Sequence, residues 1–267
     1  MVDIGIYNTP IAANATILLE KQLASASLRT SQPMTTPPSP THDFDTEAYN
    51  ELPLVPDAIA RFEKQLRAAG LNRTELFSEL APLFLVKSAE GTKPGPYAVF
   101  LIHRHFELEP GERMVENNNI TEPSNSSLNI VPHIWLPTGQ AIEFRRFISE
   151  SDPPLPPPPT LEFISKFRSF LDKKGINTLG ICYANTLEPG SYYLEEDGPR
   201  YRTRIVKLIH EPVAPTDPYE VMWIPRYNPD SQYITMVWCC TCIPCNPDLV
   251  TRRDYLTKGG NVEGAFA

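Results

Sequence analysis

Prolines divide this chain before any other residue type does. From Asp152 to Pro159 the sequence reads Asp-Pro-Pro-Leu-Pro-Pro-Pro-Pro. A run in which most residues have a fixed φ and no N–H supports neither a helix nor an internal strand. Polyproline II is expected, rising ~3.1 Å per residue and long enough to cross the face of a small domain. Prolines total 29 of 267 residues, about twice the usual ~5%, but they are clustered and so mark segments. A second cluster, Pro33, Pro37, Pro38, Pro40, Pro53 and Pro56, lies among Ser, Thr and Asp. That composition does not bury enough apolar surface to offset the ordering of the chain. Residues 1–56 are therefore expected to form a flexible arm, with at most a short amphipathic helix through Ile17, Leu18, Leu19, Leu23 and Leu28.

Residues 57–267 are expected to form a single globular domain, with a split at the proline run (152–159) as the alternative. Asp57 reads as the N-cap of a helix to Ala69, with Ile59, Phe62 and Leu66 on one face and Gly70 after it. A short helix follows at Thr74–Leu80. Strands are expected at Leu83–Lys87 and Tyr97–Leu108, then a polar loop over Asn117–Ser127, then a hairpin from Ile134–Leu136 to Ala141–Phe147. After the run, Thr160 caps a helix that ends at Lys174 before Gly175. Five further strands are expected at Leu179–Ala184, Ser191–Glu195, Arg202–His210, Tyr219–Ile224 and Tyr233–Cys240. Strands outnumber helices and most connections are short. The expected fold is α+β, an antiparallel or mixed sheet with a few helices packed on one side.

The charge balance narrows the choice of partners. A net charge of −8, with no long basic block, lacks the electrostatic footprint of a nucleic-acid binder. The longest apolar run near the start, Ile17–Leu19, is too short for a signal sequence or a membrane span, so no membrane partner is expected. Five cysteines, four of them within seven residues, do not make a disulfide framework. These features together predict a cytoplasmic protein with reduced thiols.

Chemistry concentrates in Tyr97–Glu112, which contains His103-Arg104-His105 and, further on, Glu107 and Glu109. On a strand, residues two apart share a face, so both imidazoles reach one divalent metal ion and a carboxylate completes an open site. The spacing of His103, His105 and Glu109 resembles the His-x-His and Glu of the cupin family. The glycines of the cupin motif are absent, as is its later histidine segment, so His133 or His210 is needed as a further ligand. The competing reading is a strand whose histidines hydrogen-bond within the sheet or face solvent.

Cys239, Cys240, Cys242 and Cys245 form the second cluster. Cys242-Ile-Pro-Cys245 resembles a thioredoxin-type redox motif, but only 22 residues follow it, too few for that fold. A regulatory dithiol, a soft-metal site or plain packing remains. Cys182, in Gly-Ile-Cys-Tyr-Ala, reads as a packing residue. The run Pro153-Pro154-Leu155-Pro156-Pro157-Pro158-Pro159 resembles the ligands of proline-recognition domains, against the simpler reading of a rigid connector. Finally, Phe100–Phe106, Pro110–Glu116, Ile142-Glu-Phe-Arg145 and the cysteine-rich strand resemble blocks in uncharacterised proteins of filamentous fungi. That resemblance covers about a third of the chain and brings no activity with it. Two functions are therefore carried forward. One is metal-dependent or acid–base chemistry on a small molecule at the His-x-His strand. The other is a non-catalytic interaction protein docking through residues 153–159.

Overall fold

The computed structural model describes residues 44–89, 91–146, 156–184, 187, 191–198, 202–210, 219–228, 231 and 233–243. The described residues all fall within one compact unit. Helices α1 (Thr46–Asn50), α2 (Val55–Ala69) and α3 (Arg73–Leu80) come first, with a 3-10 turn at Ala81–Phe84. A small hairpin, β1 (Leu85–Ser88) and β2 (Gly91–Pro94), precedes the main sheet. That sheet contains β3 (Tyr97–Leu101), β4 (Arg113–Asn117), β5 (Ile120–Ser124), β6 (Ile130–Trp135) and β7 (Ala141–Arg146). Helix α4 (Leu161–Lys174) then leads to β8 (Leu179–Tyr183), β9 (Tyr192–Asp197), β10 (Arg204–Ile209), β11 (Tyr219–Asn228) and β12 (Tyr233–Cys242).

Strands β3–β12 close into a barrel in the order β3-β8-β6-β7-β4-β5-β10-β9-β12-β11. Neighbours are antiparallel except β4–β7 and β9–β12, which are parallel. The expected mixed sheet is therefore present, but it is not open, and closure gives it an interior. Alternation along β7 shows what faces where. Phe144 packs outward on Phe44, ring centroids 5.6 Å apart, so Glu143 and Arg145 project inward. The helices cover part of the outside: Phe62 of α2 and Phe77 of α3 meet Trp223 of β11, and Phe163 of α4 meets Phe84 and Tyr97. Where β6 and β8 pair, a Cβ on Gly180 would lie 2.6 Å from the Trp135 carbonyl oxygen, so only glycine allows that approach.

Several expectations change here. The arm does not extend to residue 56, because Phe44–Pro56 belong to the folded unit: Asp45 caps α1, Tyr49 is buried, and α2 starts at Val55, ahead of Asp57. Residues 1–43 lie outside the described residues. The proline run does not divide the barrel, because β6 and β8 on its two sides pair directly. Pro153, Pro154 and Leu155 lie outside the described residues. Pro159 is buried, and the Pro157 carbonyl accepts a 2.8 Å hydrogen bond from the Tyr97 hydroxyl. Pro157 and Pro158 themselves are exposed. The polar loop expected over Asn117–Ser127 is instead the β4–β5 hairpin, with Asn118 and Asn119 at φ 50° and 64° in its turn.

Candidate metal centre

The chain leaves β3 at Leu101 and crosses one end of the barrel. Arg104 points outward: its N–H donates to the Pro53 carbonyl and its Nε to that of Leu52, each at 2.9 Å. Asn50 clamps the same crossing with a reciprocal pair of bonds to the Leu108 main chain, 2.9 and 2.8 Å. The strand expected to run to Leu108 therefore stops short of both histidines; with Arg104 held outside in a bridge to Leu54, His103 and His105 turn inward, and both are buried. Their rings meet edge to face at 4.8 Å.

Inside, the histidines meet groups from strands far away in sequence. Glu195 Oε1 of β9 lies 3.0 Å from His105 Nε2, and Glu143 Oε1 of β7 lies 4.0 Å from it. On the barrel β7 and β9 are separated by β4, β5 and β10, so these carboxylates meet across the lumen. Cys242 of β12 is the register partner of Glu195. Ligand atoms of His103, His105, Glu195 and Cys242 all lie within 4.8 Å of one another, and all four residues are buried. Buried Arg204 of β10 braces the anionic side: its Nη2 donates to Cys242 Sγ (3.0 Å), the Glu195 carbonyl (2.9 Å) and the Ile243 carbonyl (2.8 Å).

Protonation follows from this layout. His103 Nδ1 sits 2.6 Å from the Leu101 carbonyl oxygen, so Nδ1 carries the proton and Nε2 presents its lone pair to the cluster. Such an outer hydrogen bond is the usual support of a metal-ligating histidine. His103 Nε2 has no hydrogen-bond partner among the described residues. Burial, reinforced by His105, lowers the His103 pKa to about 3, so the ring is neutral. Burial works against the Glu195 charge as well, but His105 and Arg204 outweigh it and hold the carboxylate well below its usual range. Glu143 has no such support: burial raises its pKa to about 7, with His105 opposing. Burial, with Glu195 adding to it, also pushes up the Cys242 thiol, opposed by its hydrogen bond with His105.

Further along the lumen lies a second group. Arg145 Nε and Nη2 donate to Glu116 Oε2 at 3.1 and 2.8 Å. His133 is the extra residue of a β6 bulge between Pro132 and Ile134, a device that re-aims a side chain. Its Nε2 lies 3.4 Å from Arg145 Nη2. His133 thus belongs to a neighbouring cluster and does not complete the histidine site. Glu109 does not complete it either, being exposed in a turn where its N–H donates to Glu112. His210 is exposed beyond the end of β10. The completing donors are Glu195 and Cys242, which sequence spacing does not reveal. Glu195 carries one weak signal: it is an acid on the alternating face of an expected strand.

The thiol cluster is also divided. Cys182, Cys239, Cys240 and Cys242 are buried and free, and burial pushes each thiol up. Neutral, enclosed thiols are poor nucleophiles. Cys245, the partner of Cys242 in the expected dithiol, lies outside the described residues. Among the described residues no helix is long and apolar enough to cross a membrane. No protein-family model matches the chain, and no match was found among curated proteins or solved structures. The functional reading therefore rests on the site itself.

Proposed function

We propose that the barrel lumen binds a first-row transition-metal ion on His103, His105, Glu195 and Cys242, and that the protein performs metal-dependent acid–base chemistry on a small molecule there. The observation that carries this reading is convergence. Four metal-ligating groups from three separate parts of the chain meet in a buried space, and one of them, His103 Nε2, has a lone pair with no described partner. The donor set selects the class of ion. Imidazole with thiolate suits zinc, iron, cobalt or copper, whereas magnesium and calcium take oxygen. Glu143, beside His105 and with an Oε1 that has no hydrogen-bond partner among the described residues, stands where a proton can be taken from or given to a bound molecule. Free cysteines fit a reducing compartment, in keeping with a cytoplasmic location.

The test is metal analysis of the purified full chain, followed by loading with Co(II). About one equivalent of metal is expected, with a thiolate-to-cobalt charge-transfer band that Cys242→Ser abolishes and a metal content that His103→Ala reduces at least tenfold. A parent protein that takes up no cobalt, or variants that retain full metal and the band, would overturn the reading.

A further inference from the structure

The second cluster has donors left over. Arg145 carries five N–H donors. Glu116 accepts two of them and His133 faces a third, which leaves both Nη1 donors without an acceptor among the described residues. Because a guanidinium only donates, His133 Nε2 accepts at 3.4 Å and the ring proton sits on Nδ1. That nitrogen is buried and has no described partner. Arg145 and His133 thus each keep a donor with no acceptor among the described residues, and a donor of this kind is matched by a ligand that only accepts. The side chains of Arg145 and Glu116 are 27% and 17% exposed, so this level is the more open one. Arg145 lies two residues beyond Glu143 on the same face of β7, about 6–7 Å along the strand.

We propose that Arg145 and His133 form the binding site for the carboxylate of the small-molecule substrate, held one strand repeat from the metal centre. The substrate class is a small monocarboxylic acid, or one carboxylate of a longer acid. This inference rests on the metal reading for what happens at the far end of the molecule, but the anion site itself does not. Glu116 already offsets the charge of Arg145 and lies 3.7 Å from His133, so a doubly charged phosphate is opposed more strongly than a monocarboxylate.

The experiment is calorimetry on the full chain, metal-loaded and chelator-treated, with acetate, succinate and benzoate against acetamide, succinamide and benzamide. At least one acid should bind, and its amide should bind at least tenfold more weakly. The charge-balanced double variant Arg145→Gln with Glu116→Gln should lose at least tenfold in affinity for that acid. Should that variant not fold, His133→Phe keeps the ring, removes the donor and should weaken the acid at least threefold. Binding of no acid, equal binding of acid and amide, or unchanged affinity in the variants would overturn the proposal. Metal content measured on the same samples separates the two readings. Full metal without acid binding ends this proposal alone, whereas Arg145-dependent acid binding by a protein that takes up no metal ends the metal reading alone.

Discussion

Glu143 is a buried carboxyl 4.0 Å from an imidazole, with one oxygen that has no hydrogen-bond partner among the described residues, and this makes stability depend on pH in a defined direction. Its pKa is about 7 in the folded protein against 4.5 ordinarily. Between those values the folded chain holds a proton that the unfolded chain has released. The contribution is therefore fully present below pH 4.5, falls as pH rises, and is gone above about 7. Glu143→Gln, which cannot ionise, should be more stable than the parent at pH 8 by about 3–4 kcal/mol, since each tenfold change in proton affinity is worth ~1.4 kcal/mol. The gap should close towards pH 4.5 in denaturant titrations of chelator-treated protein. Parallel stability profiles would show that Glu143 does not hold the proton. At this scale the sequence is legible where geometry is local. His103 and His105 are legible as a pair two residues apart, but the strand expected to carry them to Leu108 ends at Leu101, and it is the bridge of Arg104 to Leu54 between them that accompanies their turn inward. Glu109 falls away from the site because the strand ends at Leu101 and the chain turns before reaching it. Glu195 and Cys242 are not legible as companions of the histidines, since nothing within β9 or β12 records which strands lie across a lumen.

Elements read best where their ends carry side-chain chemistry. Helix α4 runs from Leu161 to Lys174 between the Thr160 cap and Gly175 in the left-handed region, as its sequence predicts. The β4–β5 hairpin reads as loop because Asn117-Asn118-Asn119 is polar, although consecutive asparagines at positive φ are themselves a hairpin-turn signal. The most consequential difference concerns α1, which the flanking prolines assign to the arm. Its Asn50 closes two hydrogen bonds on Leu108 and so fixes the segment that carries both histidines. Asn50→Leu should cost about 1–3 kcal/mol and weaken metal binding about tenfold, since support of first ligands typically matters by ~10–100-fold. Asn72→Ala provides the comparison. It removes the capping box of α3, should cost ~1 kcal/mol, and should leave metal affinity unchanged. Equal effects of the two on metal affinity would remove Asn50 from the positioning role.

For the whole molecule, closure is the property the sequence conceals. Local patterns support a mixed sheet, but the parallel contacts β4–β7 and β9–β12 and the short β5–β10 seam are long-range choices. One closed barrel unfolds as one unit, so fluorescence of Trp135 and Trp223 and the far-ultraviolet circular dichroism should give superimposable denaturation curves. Two separated transitions would restore a division at the proline run. The donor set also has a history in synthesis. His103 and Cys242 are 139 residues apart, and at ~5–20 residues per second a ribosome takes roughly ten to thirty seconds to travel between them. Throughout that interval the nascent chain carries two imidazoles but not the full set of Glu195 and the thiol. On the proposed reading, capture of a metal by the full set would wait until the last barrel strand emerges. A chain stalled before β12 leaves the ribosome without its full donor set, whatever metal the cell supplies.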